Sequence, residues 1–279
     1  MKALFDSVSQ ACSKLVTKSY STSFSLGIQF LDKKFHLPIY SIYGFVRFAD
    51  EIVDTFHDFD KKELLDQFRK DTYEAIEKGI SLNPILQSFQ MVVNEYKIER
   101  ELIDHFLYSM EMDIEQKEHD RASYEKYILG SAEVVGLMCL RVFVEGDAPY
   151  YDELKPPAMA LGSAFQKVNF LRDLKNDAEH LGRTYFPNVE DLSEFSLNEK
   201  QDIEIEIEKE FDYALEGIRK LPIGARRGVY VAYVFYRSLF NKIRELPAEK
   251  VKKERVRIPN SSKFTLMLKS VVKEQLNYI

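Results

Sequence analysis

The chain is short of the residues that staple or interrupt a fold. It has only two cysteines, Cys12 and Cys139, far apart and in no CxxC or Cys/His cluster, which excludes a disulfide scaffold and a structural zinc site. Nor is there an excess of positive charge. Against 45 Asp and Glu there are 39 Lys and Arg, a net charge of −6, the wrong balance for a protein that lives on nucleic acid. Any anionic ligand must therefore be met locally. GxGxxG and Walker loops are missing, and His36, His57, His105, His119 and His180 show no metal-ligand spacing. The longest apolar runs, Val134–Leu140 and Gly228–Tyr236, fall well short of a bilayer span. Met1-Lys2-Ala3-Leu4-Phe5-Asp6-Ser7 lacks the apolar core of a secretory signal. The expectation is a cytoplasmic protein, able to rest on the inner face of a membrane but not to cross it.

What is present is apolar and helical. The 279 residues are 45% hydrophobic, enough for a substantial core without a staple. Only eleven Gly and nine Pro punctuate long segments whose apolar residues recur every three or four positions. Pro38 is expected to open a helix running to about Phe56. Asp60 and Glu63 resemble a capping box for a helix that Gly79 stops, and Asn83-Pro84 is a cap and first-turn pair for Ile85–Tyr96. Further helices are expected at Arg100–Glu118, Ser123–Glu145, Tyr151–Leu181, Ser196–Leu221, Gly224–Leu246 and Asn260–Asn277. Ile203–Ile207 alternates like a strand, but Ile203, Ile207, Phe211 and Leu215 repeat every four, which predicts helix. With no strand-and-turn pair, repeat or linker, residues 1–279 read as one all-α domain.

Two polar stripes break the apolar pattern. Asp50 and Asp54 lie one helical turn apart, and Tyr43, Arg47, Asp50 and Asp54 share a face at spacings of four, three and four. An Arg47–Asp50 ion pair on a solvated helix is one reading, although the apolar surroundings speak against solvent. The second stripe, Gln166, Asn169, Asp173 and Asp177, repeats the pattern at three, four and four. Magnesium takes oxygen ligands and is usually held by one or two carboxylates plus substrate phosphate. Two facing helices with paired aspartates could hold such ions against a diphosphate, with Arg47, Arg172 and Arg183 as charge-assisted donors. Between Arg237 and Lys263, nine Lys or Arg stand against three Glu. That stretch is either a solvated face or a contact for anionic lipid or substrate diphosphate.

These motifs, together with Ser21-Thr22-Ser23-Phe24, Tyr127–Gly136, Gly182-Arg183-Thr184-Tyr185-Phe186-Pro187 and Arg255-Val256-Arg257, resemble the squalene and phytoene synthase family over nearly the whole chain, bacterial phytoene synthases in particular. The resemblance implies an all-α isoprenoid synthase fold with a central cavity. It implies Mg2+, or Mn2+ in its place, at Asp50, Asp54, Asn169, Asp173 and Asp177. Ser21, Ser23, Tyr43, Arg47, Gln166, Asn169, Arg172, Arg183, Tyr185, Tyr236 and Arg255 would surround two diphosphates, and Tyr127 would face the reacting centres alongside the four aspartates. The implied reaction joins two geranylgeranyl diphosphates head to head into phytoene through prephytoene diphosphate, in carotenoid biosynthesis, without nicotinamide. The product would pass to a downstream desaturase, and the enzyme would touch the membrane peripherally. The alternatives are squalene or dehydrosqualene formation from farnesyl diphosphate, and a non-catalytic assembly factor. One departure stands out: Glu133 replaces a small residue on a helix expected to line the cavity.

Overall fold

A computed structural model describes residues 1–115, 119–181, 185–187, 195–253 and 255–257, the side chains at 22, 23, 180 and 181 excepted. Among the described residues there is no strand. The helices are α1 (Lys2–Tyr20), α2 (Thr22–Gln29), α3 (Lys33–Thr55), α4 (Lys61–Lys78), α5 (Pro84–Tyr96), α6 (Arg100–Glu115), α7 (Arg121–Ile128), α8 (Val134–Phe143), α9 (Ala148–Asn176), α10 (Leu197–Lys220), α11 (Ile223–Arg244) and α12 (Ala248–Val251). The helix expected at Asn260–Asn277 lies outside the described residues.

Local chemistry accounts for most of the boundaries. Asp60 Oδ1 accepts from Glu63 N at 3.0 Å to start α4, and Gly79, at φ 66°, ends it in the left-handed conformation that a glycine adopts freely. Asn83 Oδ1 caps α5 through Ile85 N at 3.0 Å. Ser196 and Glu199 form a reciprocal capping box on α10, and the Ile203–Ile207 stretch is helical as expected. Pro38 does not open α3 but lies inside it. Burial of Phe35 and Ile39 on the core side extends the helix toward its N-terminus, at the cost of the one backbone bond Pro38 cannot donate.

Aromatic packing fixes the α3 side of the core. Phe45 stacks on Phe89 at 3.9 Å between centroids and meets Phe106 at 5.3 Å and Phe68 at 5.5 Å, joining α3 to α4, α5 and α6. On the other side α9 packs against α8, α10 and α11. The expected Ser123–Glu145 helix is continuous but contains a π-helical turn at Leu129–Glu133, between α7 and α8. Gly130 permits it: a Cβ there would meet His105 O at 2.4 Å and Ser109 Cβ at 2.6 Å on α6.

The turn also redirects Glu133. Ser131 and Ala132 face the central cavity, whereas Glu133 does not line it. Its carboxyl belongs to a charged group between α9 and α10, where buried Lys167 donates to Glu206 at 3.0 Å and to Glu210 at 2.6 Å, and Ser163 donates to Glu210 at 2.8 Å. Burial, and then the Glu210 carboxylate, push Glu133 up to about 7 against the pull of Lys167.

Two outcomes follow. Gly130→Ala should lower the midpoint of thermal unfolding, at a cost of about 1–3 kcal/mol from overpacking. Gly136→Ala, whose Cβ would meet Ala158 O at an ordinary 3.4 Å, should not. For Glu133, the folded state retains a proton that the unfolded chain has already released, so stability falls as pH rises from the ordinary carboxylate range to about 7. Glu133→Gln should therefore be more stable than the parent at pH 8, by about 1–3 kcal/mol in denaturant titrations, with the gap closing toward pH 5.

Candidate active site

A cavity of ≈ 580 Å³ runs through the middle of the bundle. Most of its wall is apolar: Phe24, Ile28 and Leu31 from α2 and the turn after it, Ile39 and Val46 from α3, Val135, Cys139 and Phe143 from α8, Leu154, Leu161 and Phe165 from α9, and Val229, Ala232 and Phe235 from α11. From Leu154 to Arg172 the α9 wall spans nineteen residues, about 27 Å at the helical rise. Polar groups gather at one end. Tyr43, Arg47 and Asp50 come from α3, Gln166, Asn169 and Arg172 from α9, Tyr236 from α11, and Ser21 and Arg255 from the segments flanking α2 and α12.

On α3, the spacing that put Arg47 and Asp50 on one face holds, but the closest partner of Arg47 is Glu51, one turn on, with Asp50 at 3.8 Å. The guanidinium also lies 4.4 Å from the Tyr20 ring centroid, and its buried Nε has no hydrogen-bond partner. A buried donor left open beside an apolar cavity is a place for an anion. Asp50 has 31% of its side chain reachable, toward the cavity it lines, yet protein encloses it. Burial first, and then Asp54, push its carboxyl up to about 7, with Arg47 opposing and Asp113 adding to the repulsion. Ser21 caps α2 by accepting from Phe24 N at 3.2 Å, and Phe24 stacks on Tyr43 at 4.8 Å.

Opposite stands α9. Arg172 Nε donates to Asp173 at 3.0 Å, and Arg255 Nε reaches the same carboxylate at 2.6 Å. Tyr236 OH donates to Asn169 Oδ1 at 3.3 Å and its ring stacks on Phe165 at 3.9 Å, while Asn169 Nδ2 donates to Gln166 at 3.3 Å. Asp54, Asp173 and Asp177 are not on the cavity wall itself; Asp173 meets it through Arg172 and Arg255. Asp177 begins a second π-helical turn, Asp177–Leu181, at the end of α9. Arg183 and the side chain of Ser23 lie outside the described residues.

Tyr127 and Tyr185 lie against each other, 4.9 Å between ring centroids. Neither lines the cavity. Both are buried and donate to one carboxylate, Asp113 on α6, at 2.8 and 2.9 Å. Burial, then the Asp113 charge, raise the Tyr127 phenol well above its ordinary value, so it is a neutral donor. Sequence reading missed Asp113. The signal was a carboxylate at the end of the stripe Leu102, Phe106, Ser109, Asp113, which is otherwise the buried face of α6. In the basic stretch from Arg237, Arg237 and Arg244 pair with Glu208 and Arg255 reaches Asp173 at the cavity mouth, while Lys242, Lys250, Lys253 and Arg257 are exposed.

Comparison with known proteins accords with this geometry. A model of the squalene/phytoene synthase family matches residues 17–262. The phytoene synthase of Arthrospira platensis is 28% identical over 82% of this chain and 81% of its own. The presqualene diphosphate synthase of Rhodopseudomonas palustris is also 28% identical, over 60% of this chain but only 58% of its own length. The 4,4'-diapophytoene synthase of Staphylococcus haemolyticus is 28% identical over 70% and 67%. Among solved structures, a dehydrosqualene synthase in complex with ligand superposes with a TM-score of 0.83 at 20% identity over 98% of both chains. Matched along most of its length and sharing that helical fold around a cavity, the chain belongs to the squalene/phytoene synthase family of head-to-head isoprenoid transferases.

Proposed function

We propose that the protein condenses two geranylgeranyl diphosphates head to head, through prephytoene diphosphate, to phytoene. The observation that carries this reading is the polarity of the cavity: a long apolar wall closed at one end by arginines, hydroxyls and acids from two facing helices. An amphiphile with a polyanionic head and a polyprenyl tail fits both ends at once. Arg47 offers its open Nε to the departing diphosphate, and Arg172, Arg255, Tyr43 and Tyr236 supply further donors around it. The apolar wall keeps water from the carbocations, so that the reaction ends by proton loss rather than by capture of water.

Asp50, Asp54, Asn169, Asp173 and Asp177 would hold Mg2+, or Mn2+ in its place. The donors are all oxygens, and Asp50 is repelled by Asp54 in a way that a cation would relieve. Among the described residues no three acidic, histidine or cysteine side chains converge on one point, so waters and phosphate oxygens of the ligand would have to complete the ion's shell. When bound, the ion would neutralise the diphosphate and make it a better leaving group. The second reading, two farnesyl diphosphates giving a C30 product, is favoured by the sequence similarity to the 4,4'-diapophytoene synthase of Staphylococcus haemolyticus.

Asp50→Asn should lower kcat/KM by at least about a hundredfold while raising the unfolding midpoint at pH 8, because it removes a repelled carboxylate. Asp173→Asn should lose activity comparably and also lose stability, since Arg172 and Arg255 are left without their carboxylate. Activity near the parental level in either variant would overturn the site. Purified protein given Mg2+ and geranylgeranyl diphosphate, without nicotinamide, should yield a C40 hydrocarbon of phytoene mass. Inertness on that substrate with a C30 product from farnesyl diphosphate would move the assignment to the second reading.

A further inference from the structure

Arg47 and Asp50 stand in conflict at the polar end of the cavity. One is a base offered to an anion and the other an acid suited to a cation, yet they lie about one helical turn apart, with Nη1 and Oδ2 at 3.8 Å. Two such groups on a half-buried face, given no other partner, close into an ion pair and cancel. These two do not close, because Arg47 Nη2 donates to Glu51 instead. The Tyr20 ring covers the guanidinium, with 4.4 Å from Cζ to the ring centroid, and Nε stays open beside the cavity.

The charges lie on neighbouring rows of α3. Arg47, Glu51 and Thr55 follow one another at i+4, and Asp50 and Asp54 do the same on the adjacent row. Glu51 does not line the cavity, so it reaches a ligand only through Arg47. Its side chain is 19% exposed and that of Arg47 23%, which leaves water little room to screen the pair. The Tyr20 and Thr55 hydroxyls also bear on the Glu51 carboxylate, tying it to the end of α1 as well as to its own helix. Held in this way, Glu51 is the firmer anchor for Arg47, while Asp50 stays outside direct hydrogen-bond range of the guanidinium.

We propose that Glu51 is a positioning residue: it holds Arg47 off Asp50, and so keeps a place for a diphosphate oxygen and a place for a divalent cation from neutralising each other. The duties given to Arg47 and Asp50 rest on the proposed function; the contact that separates them does not. Asp50 is the other carboxylate acting on Arg47. With Glu51 uncharged, the guanidinium closes the 3.8 Å gap to Asp50. One movement then takes the donor from the anion and the acid from the cation together. A Glu51 that bound the cation itself would behave differently, since its loss would weaken the cation whether or not Arg47 were present.

The test is a cycle of full-length variants, Glu51→Gln, Arg47→Met and the two combined. Each is titrated with Mn2+ alone, followed by electron paramagnetic resonance, and with inorganic pyrophosphate in saturating Mg2+, followed by calorimetry. Glu51→Gln should weaken both probes about tenfold with an unchanged circular dichroism spectrum. In the Arg47→Met background the same change should leave Mn2+ affinity where it was, because no guanidinium remains to fall on Asp50. The combined variant should also bind Mn2+ more tightly than Glu51→Gln alone, a comparison that stands even if Arg47→Met, which strands the Glu51 charge, does not fold. Equal loss of Mn2+ in both backgrounds overturns the proposal, because Glu51 is then itself an ion ligand. So does a Glu51→Gln variant that binds both probes like the parent, or a parent that leaves one of them unbound. Turnover separates this from the reaction. Normal condensation by Glu51→Gln would overturn the positioning role alone, whereas the expected binding pattern with no condensation of either prenyl diphosphate would leave that role standing and reject the proposed reaction.

Discussion

Charge confined to one end of an apolar cavity has to be balanced from within the protein, and that requirement organises the helices around it. Removing ions from water is costly unless a partner sits within a few ångströms. On α3 the acids outnumber their arginine: Glu51 takes Arg47, and Asp50, crowded by Asp54, retains its proton more tightly than an ordinary carboxyl. On α9 the charges are matched more evenly: Arg172 and Arg255 converge on Asp173, and Asp177 also acts on Arg172. The α3 wall is thus the one short of positive charge. Under the proposed function, hard cations arriving with the diphosphate would offset that shortage.

The polar stripes were legible because helical spacing is a property of the chain itself. Residues three and four apart share a face whatever packs against them, so Tyr43, Arg47 and Asp50, and Gln166 and Asn169, could be grouped before any fold was known. Spacing does not choose between two partners on the same face. Arg47 has Asp50 at i+3 and Glu51 at i+4, and the shorter contact went to the acid the motif did not feature. Asp113 was beyond reach for a different reason. Its meaning comes from Tyr127 and Tyr185, 14 and 72 positions away, and only tertiary packing brings the three together. α1 defeated the apolar-inside rule outright, because its inner face is selected for small size rather than for hydrophobicity.

Small residues recur wherever helices must approach closely beside the cavity. Gly228 on α11 faces Leu31 and the Gly27 carbonyl, and Gly162 on α9 faces the Ala132 carbonyl. Such crossings pull the walls together at particular points while the larger side chains between them stand apart. The cavity is therefore held open by where the bundle is tight, without a rigid strut through its interior.

The π-helical turn at Leu129–Glu133 works as a phase shifter. An ordinary helix advances about 100° per residue, so the widened turn offsets everything that follows by roughly one position. That offset is what lets Ser131 and Ala132 serve the cavity while their neighbour Glu133 joins Lys167 and Glu210 outside it, and it sets which face of α8 carries Val135 and Cys139. Side chains in the turn can change without disturbing this arrangement if they respect the space around Gly130. The turn also absorbs length: with one residue deleted it would tighten to ordinary helix and leave Val135 and Cys139 on the same face, whereas a deletion within α8 would have no wide turn to take it up. The phase of the cavity wall is therefore tied to where the chain carries its extra residue.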